Sequence, residues 1–358
     1  MIKDKLIQKI KLSFFGLLLS APFFGMAQNT VSIIGVGDIM MGTNYPESPA
    51  GAYMPADSGR KLFADLTPYF QTADIVFGNL EGVVLNKGGN PKKCKNPDIC
   101  YTFRMPEYYV QNLINAGFNL MSIANNHVHD FGHAGALNTY NVLTEAGIQV
   151  AGLENICEYA IFKRDSIRYG FCGFAPNTGT VRINNYAKVR EIITHLDSLC
   201  DIIIVSFHGG AEGATHNRVT KQSETFLGEN RGNVYEFAHL CIDLGADIVF
   251  GHGPHVPRAM ELYKDRFIAY SLGNFCTPYK VNRSGNGGYA PIVKVITDST
   301  GRFISGELKS ATQSDRTGPK FDEQQICIKE IKRLTDLDFP NGELEISPEG
   351  ILTKKEKE

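Results

Sequence analysis

Five short apolar runs, each breaking abruptly into polar residues, constrain the fold of this chain more than any other feature. They are VSIIGVGD (31–38), DIVFGNLEG (74–82), NLMSIANNH (119–127), DIIIVSFHGG (201–210) and ADIVFGHGPH (246–255). Runs of four or five apolar, largely β-branched residues are what strands buried on both faces require. Amphipathic stretches of helical length separate them. PEYYVQNLINAG has Pro106 at a plausible first turn, GALNTYNVLTEAG ends on Gly147, and NVYEFAHLCIDLG ends on Gly245; AKVREIITHLDSLC is a fourth. This alternation predicts an α/β fold of βαβ units with a largely parallel core sheet. Three later segments, FKRDSIRYGFC, AMELYKDRFIAYSL and PIVKVITDSTGRFISGELK, read instead as antiparallel hairpins with polar turns at Arg164-Asp165, Lys264-Asp265 and 299–301.

In open α/β sheets ligands bind at the carboxyl ends of strands, where several loops converge on a rigid frame. All five runs deliver polar residues there: Asp38; Asn79 and Glu81; Asn125, Asn126, His127, His129 and Asp130; His208; His252 and His255. Three of the chain's 9 histidines fall within ANNHVHDFGH alone. Any one of these side chains reads equally well as a turn cap or a hydrogen-bonded structural residue. Carboxylates, imidazoles and amides arriving together from five strand ends are the donors that a divalent metal of intermediate softness recruits. A phosphate cradle would want a glycine-rich loop with Lys, and no G-x-x-x-x-G-K-[ST] is present; nor is the G-x-S-x-G elbow of a serine hydrolase.

The N-terminus carries lysines at 3, 5, 9 and 11, an apolar run from Leu12 to Phe24, and the triplet Gly25-Met26-Ala27. This is the anatomy of a secretory signal over residues 1–27, with cleavage after Ala27 and export to the periplasm or cell envelope. Losing that segment removes four lysines and Asp4, taking the formal charge from -2 to -5. An acidic chain of this kind offers no basic nucleic-acid surface. Most of the 8 cysteines sit in apolar contexts and read as small core residues. Cys94 and Cys100 differ: KKCKNPDICYTF places them around a turn in a polar loop, where an exported chain can hold a disulfide.

GDIMMG, NLEGVV, ANNHVHDFG, SFHGGAE, GHGPHV and YSLGNF, in this order over about residues 31–276, resemble the CapA family. These are capsule and poly-gamma-glutamate biosynthesis proteins of the calcineurin-like metallophosphoesterase superfamily. The resemblance implies a four-layer α/β/β/α sandwich of the metallo-dependent phosphatase type over residues 28–312, with 313–358 as a C-terminal extension. It also implies one or two divalent ions (Mn, Zn or Fe) at the strand ends. Asp38 matches the first metal aspartate, and Glu81 stands where an aspartate usually bridges two metals. Asn126 matches a ligand, and His127 the histidine that contacts the leaving group. His208 and His255 match later ligands, with His252 beside them in an altered last motif. Met40 stands where a further histidine ligand is usual.

On this resemblance His127 is the catalytic acid, with His129 or Asp130 fixing its tautomer; Arg258, close in sequence to the histidine loops, is a candidate to clamp an anionic substrate by bidentate contacts, and His129 is expected to contact it too. Arg218 is read as a surface charge. The expected substrate is an anionic extracellular polymer or small anion, cleaved at a phosphoester or gamma-glutamyl amide bond, and capsule-synthesis components of the envelope are the expected partners. The competing reading is a non-catalytic envelope protein that binds or escorts such a polymer.

Overall fold

The computed structural model describes residues 30–47, 52–93, 100–279, 281–313 and 317–356. The expected signal segment 1–27 and Cys94 lie outside these. All five apolar runs form strands, but they divide between two sheets. Thr30–Ile39, Ile75–Leu80 and Leu120–Ser122 lie side by side and parallel in a nine-stranded sheet that continues to Gln149–Ala151. On its other flank Thr30–Ile39 pairs antiparallel with Ile292–Asp298, then come Phe303–Lys309, Ile351–Lys354 and Leu344–Ile346. Asn274–Cys276 runs parallel to the end of Thr30–Ile39. Ile202–His208 and Ile248–His252 are parallel neighbours in a six-stranded sheet ordered Met260–Tyr263, Arg266–Ala269, Ile248–His252, Ile202–His208, Ile167–Phe174, Tyr159–Arg164. The three hairpins form where their turns predict.

Side-chain alternation explains why these strands are apolar throughout. Ile33, Ile75 and Phe77 of the first sheet and Ile204, Ile248 and Phe250 of the second share one apolar cluster, in which the Phe77 and Phe250 rings stack at 5.1 Å. Their immediate neighbours point the other way. Ile34 and Val76 join a cluster with the helices Val110–Ala116 and Gly132–Glu145. Val205 and Val249 join another with Tyr186–Asp197 and Val234–Asp243. The layers therefore run helix, sheet, sheet, helix. Each buried Ile, Val or Phe contributes about 1.5–3 kcal/mol, so the strands need both faces covered.

The described residues beyond 312, namely 313 and 317–356, are built into this frame. Leu344–Ile346 and Ile351–Lys354 extend the first sheet, and Leu334, on the helix Ile326–Asp338, packs into the outer cluster of the second.

Candidate metal centre

Two sheets packed face to face bring the carboxyl ends of strands from both to one place. Asp38, one residue before the end of its strand, pairs in register with Asn79 on one side and Asn274 on the other. That threefold junction is tight: a Cβ on Gly37 would lie 2.1 Å from the Gly273 carbonyl oxygen, so the backbones meet there only because residue 37 is glycine. His208 and His252 end adjacent strands of the second sheet and stand opposite each other in register. After His252 the chain turns at Gly253, φ 113°, and His255 itself takes φ 58°. A non-glycine residue in the left-handed region costs free energy, and here it sets the imidazole between carboxylates.

Asp38, Glu81, His208 and His255 each offer a ligand atom, and these atoms all lie within 4.8 Å of one another. Asp38 Oδ2 is 3.0 Å from His255 Nδ1, while Asp38 Oδ1 accepts from Asn79 Nδ2 at 2.8 Å and faces His252 Nδ1 at 3.1 Å. Glu81 Oε1 is 3.5 Å from His208 Nε2 and 3.7 Å from His255 Nε2. Asp38 and His208 are 0% exposed and Glu81 2%.

Burial alone would raise the pKa of both carboxyls. The Asp38 carboxyl is nevertheless held below its ordinary range by His252 and His255, and that of Glu81 chiefly by the charge of His255. Burial pushes His208 down. It would do the same to His255, but Glu81, Asp38 and Glu212 together carry that imidazole up to about 10. Two buried carboxylates thus gather positive charge around themselves.

A divalent cation fits this donor set. Glu81 Oε1, Asn126 Oδ1, His208 Nε2 and His252 Nε2 are buried and accept or donate no hydrogen bond. Orphaned buried polar atoms are costly, and oxygen and imidazole nitrogen are what a borderline metal takes. The capsule-synthesis family described as bacterial capsule synthesis protein PGA_cap matches residues 32–279. The chain belongs to this family.

Two curated members are similar along most of the chain. The capsule biosynthesis protein CapA of Bacillus anthracis is 26% identical over 71% of this chain and 62% of its own length. The PGA biosynthesis protein CapA of Bacillus subtilis is 28% identical over 70% of this chain and 64% of its own. The chain therefore spans a little under two thirds of these relatives. Among solved structures, it is similar to the calcineurin-like phosphoesterase YfkN of Bacillus subtilis, at 13% identity and a TM-score of 0.47 over 80% of this chain and 94% of that one.

Within this family member the residues of ANNHVHDFGH take separate roles. Asn125 is a brace: its Nδ2 donates to Asn79 Oδ1 at 3.1 Å and to the Leu80 carbonyl at 2.9 Å, which fixes the asparagine that holds Asp38. Asn126 presents its unpartnered oxygen. His127 turns Nε2 to Glu81 Oε1 at 4.0 Å and Nδ1 to Asp130 Oδ2 at 2.8 Å. Asp130, not His129, is therefore the residue that sets the His127 ring. It also accepts from the Phe103 N–H at 2.7 Å and pairs with Lys92 Nζ at 2.5 Å. Lys92 went unrecognised in sequence because it lies 35 residues from His127 in a polar loop.

Two expectations are corrected. Arg258 is 0% exposed and cannot clamp a substrate: its Nη1 and Nη2 engage Glu224 at 2.8 and 2.7 Å, and Nη2 also donates to the Ala211 carbonyl at 3.2 Å. His129 has its Nε2 buried against Gly179, where a Cβ would sit 2.1 Å away, rather than offered to a ligand. His252 stands behind Asp38 and outside the tight four-residue group, with one nitrogen on that carboxylate and the other orphaned. Arg218 pairs with Asp338 at 2.5 Å and is half exposed. Cys100 is disulfide-bonded, whereas Cys157, Cys172, Cys200, Cys241, Cys276 and Cys327 are free.

Proposed function

We propose that this chain is an exported, metal-dependent hydrolase that works with the capsule-synthesis machinery, cleaving a phosphoester or gamma-glutamyl amide bond of an anionic envelope polymer. The observation that carries the reading is His127. Its Nε2 faces the cluster from just outside the ligand group, and its Nδ1 is fixed on a buried carboxylate that is itself paired with Lys92. A purely structural metal needs no such side chain beside it.

Asp38, Glu81, Asn126, His208, His252 and His255 would hold one or two divalent ions. When bound, such an ion supplies Lewis-acid polarisation of the scissile group. Asp130 accepts from Nδ1–H of His127 and so leaves Nε2 as the atom that handles the proton. Protonated there, His127 donates to the departing oxygen or nitrogen, a role worth roughly 10² to 10⁴ in rate. Phe103, whose ring centre lies 4.5 Å from that of His127, shields the imidazole on one side.

One observation favours a non-catalytic reading. Met40 is wholly buried and contributes an apolar side chain where the resemblance implies a nitrogen ligand. Metal per chain, measured beside turnover on phosphoester and gamma-glutamyl substrates, separates the two readings. His208→Ala and His255→Ala should lose metal. His127→Ala should keep both metal and fold while turnover falls by roughly 10² to 10⁴. If wild-type protein turns over neither substrate class, the polymer-binding reading replaces the hydrolase.

A further inference from the structure

One carboxylate outside that ligand set reaches the rim of the centre. Glu212 lies four residues beyond His208, and its Oε2 stands 4.0 Å from His255 Nε2, the same nitrogen that faces Glu81 Oε1 at 3.7 Å. The other oxygen, Oε1, is held by Arg231 Nη1 at 3.2 Å. Arg231 is 2% exposed, and its Nε donates to the Gly210 carbonyl at 3.2 Å, so it is a fixed anchor rather than a surface arm.

The backbone under Glu212 is fixed as well. Gly210 N–H donates to the Arg231 carbonyl at 2.9 Å, Ala211 N–H to Glu224 Oε2 at 2.9 Å, and Gly213 N–H to the Pro254 carbonyl at 2.9 Å. The first two contacts tie the loop to the residues around Glu224 and Arg231, and the third ties it to the segment that carries His255. One Glu212 oxygen is thus occupied and the other directed toward the centre, with the side chain 23% exposed. Three carboxylates, Asp38, Glu81 and Glu212, converge on a single imidazole. Such convergence calls for cationic charge beside it, which a divalent ion supplies when it takes the place of the imidazole's proton.

We infer that Glu212 is a further metal-holding carboxylate of this centre, presented by Arg231 through its second oxygen. The inference rests on the metal-dependent reading above. It assigns Arg231 as a positioning residue and makes the HGGAE loop part of the binding site.

The test is calorimetric titration of Mn²⁺ and of Zn²⁺ into the metal-stripped protein, alongside thermal melts with EDTA and with saturating metal. Glu212→Gln keeps the size and an amide oxygen for Arg231 but loses the charged donor. It should melt with wild type in EDTA, bind at least one of the two metals roughly 10- to 100-fold more weakly, and show a smaller metal-induced rise in melting temperature. Glu229→Gln is the control. Glu229 also pairs with Arg231 Nη1, at 3.2 Å, and this variant should bind metal as wild type does. Glu212→Gln binding with wild-type affinity and stoichiometry overturns the inference and leaves the metal-dependent reading standing. Wild type taking up neither metal overturns both.

Discussion

Arg258→Met tests whether this arginine belongs to the core rather than to the substrate. The guanidinium meets Glu224 through two parallel contacts of 2.8 and 2.7 Å, with side chains 0% and 5% exposed. Methionine replaces the apolar stem but strands the carboxylate. Among the described residues, the Glu224 carboxylate then keeps only the Ala211 N–H at 2.9 Å. Removing one partner of a buried pair costs about 3–5 kcal/mol, because the remaining charge stays desolvated. At roughly 2 °C per kcal/mol, the low end for larger domains, the melting midpoint should fall by about 6–10 °C. Adding Glu224→Gln removes the stranded charge, so the double variant should regain about half of that loss. Thermal and urea unfolding in EDTA read these numbers without the contribution of bound metal. An arginine that clamps substrate would leave the melt unchanged and raise KM. A single variant within about 1 °C of wild type, or a double variant no more stable than the single, refutes the pairing as a source of stability.

Asp130→Asn should keep metal content near wild type but lower turnover, because the amide cannot hold the Nδ1 proton of His127 as a carboxylate does; equal turnover would remove Asp130 from the mechanism. The opposite end of the second sheet carries a pH effect. Burial pushes Asp247 up to about 7, against the Ile203 N–H and Arg266, while an unfolded aspartate titrates near ~3.9. Between these values the folded chain keeps a proton that the unfolded chain has lost. This contribution to stability is complete below about pH 4, is lost as pH rises to about 7, and is flat above. Stability of wild type minus that of Asp247→Asn, from urea unfolding, should therefore decline over this window; parallel curves would contradict it.

What was legible in sequence was the set of strand ends. An apolar run followed by Asp38, Glu81, Asn126, His208 or His255 is a local signal, and all five runs became strands. Their division into three and two was not legible from pattern alone. A strand sandwiched between a sheet and a helix layer and one flanked by helices on both sides are equally apolar. Ile33 and Ile34, or Ile204 and Val205, point to opposite layers without differing in type. Arg258 was misread for a related reason. It lies three residues from His255, yet its backbone N–H pairs with the Ser271 carbonyl and its side chain enters the core to meet a glutamate 34 positions away. The C-terminal strands escaped notice because short strands such as Ile351–Lys354, second from the sheet edge and exposed at three of four positions, resemble a polar tail.

The placement of the ligands decides which experiment can separate a scaffold from a hydrolase. Asp38, Glu81 and Asn126 come from the first sheet's strand ends, and His208, His252 and His255 from the second's. An ion held by all of them would staple the two sheets of the sandwich, and binding only the folded state would stabilise it by mass action. Metal dependence of stability is therefore expected whether or not the protein does chemistry, and loss of metal in a ligand variant says nothing about turnover. His127, Asp130 and Lys92 are different. They come from one loop and its neighbour, do not join the sheets, and are tied to one another by contacts of 2.8 and 2.5 Å. A scaffold would lose nothing through Asp130→Asn beyond local stability, whereas a hydrolase would lose rate with its metal and sandwich in place. The relay beside the metal, rather than the metal itself, carries the distinction.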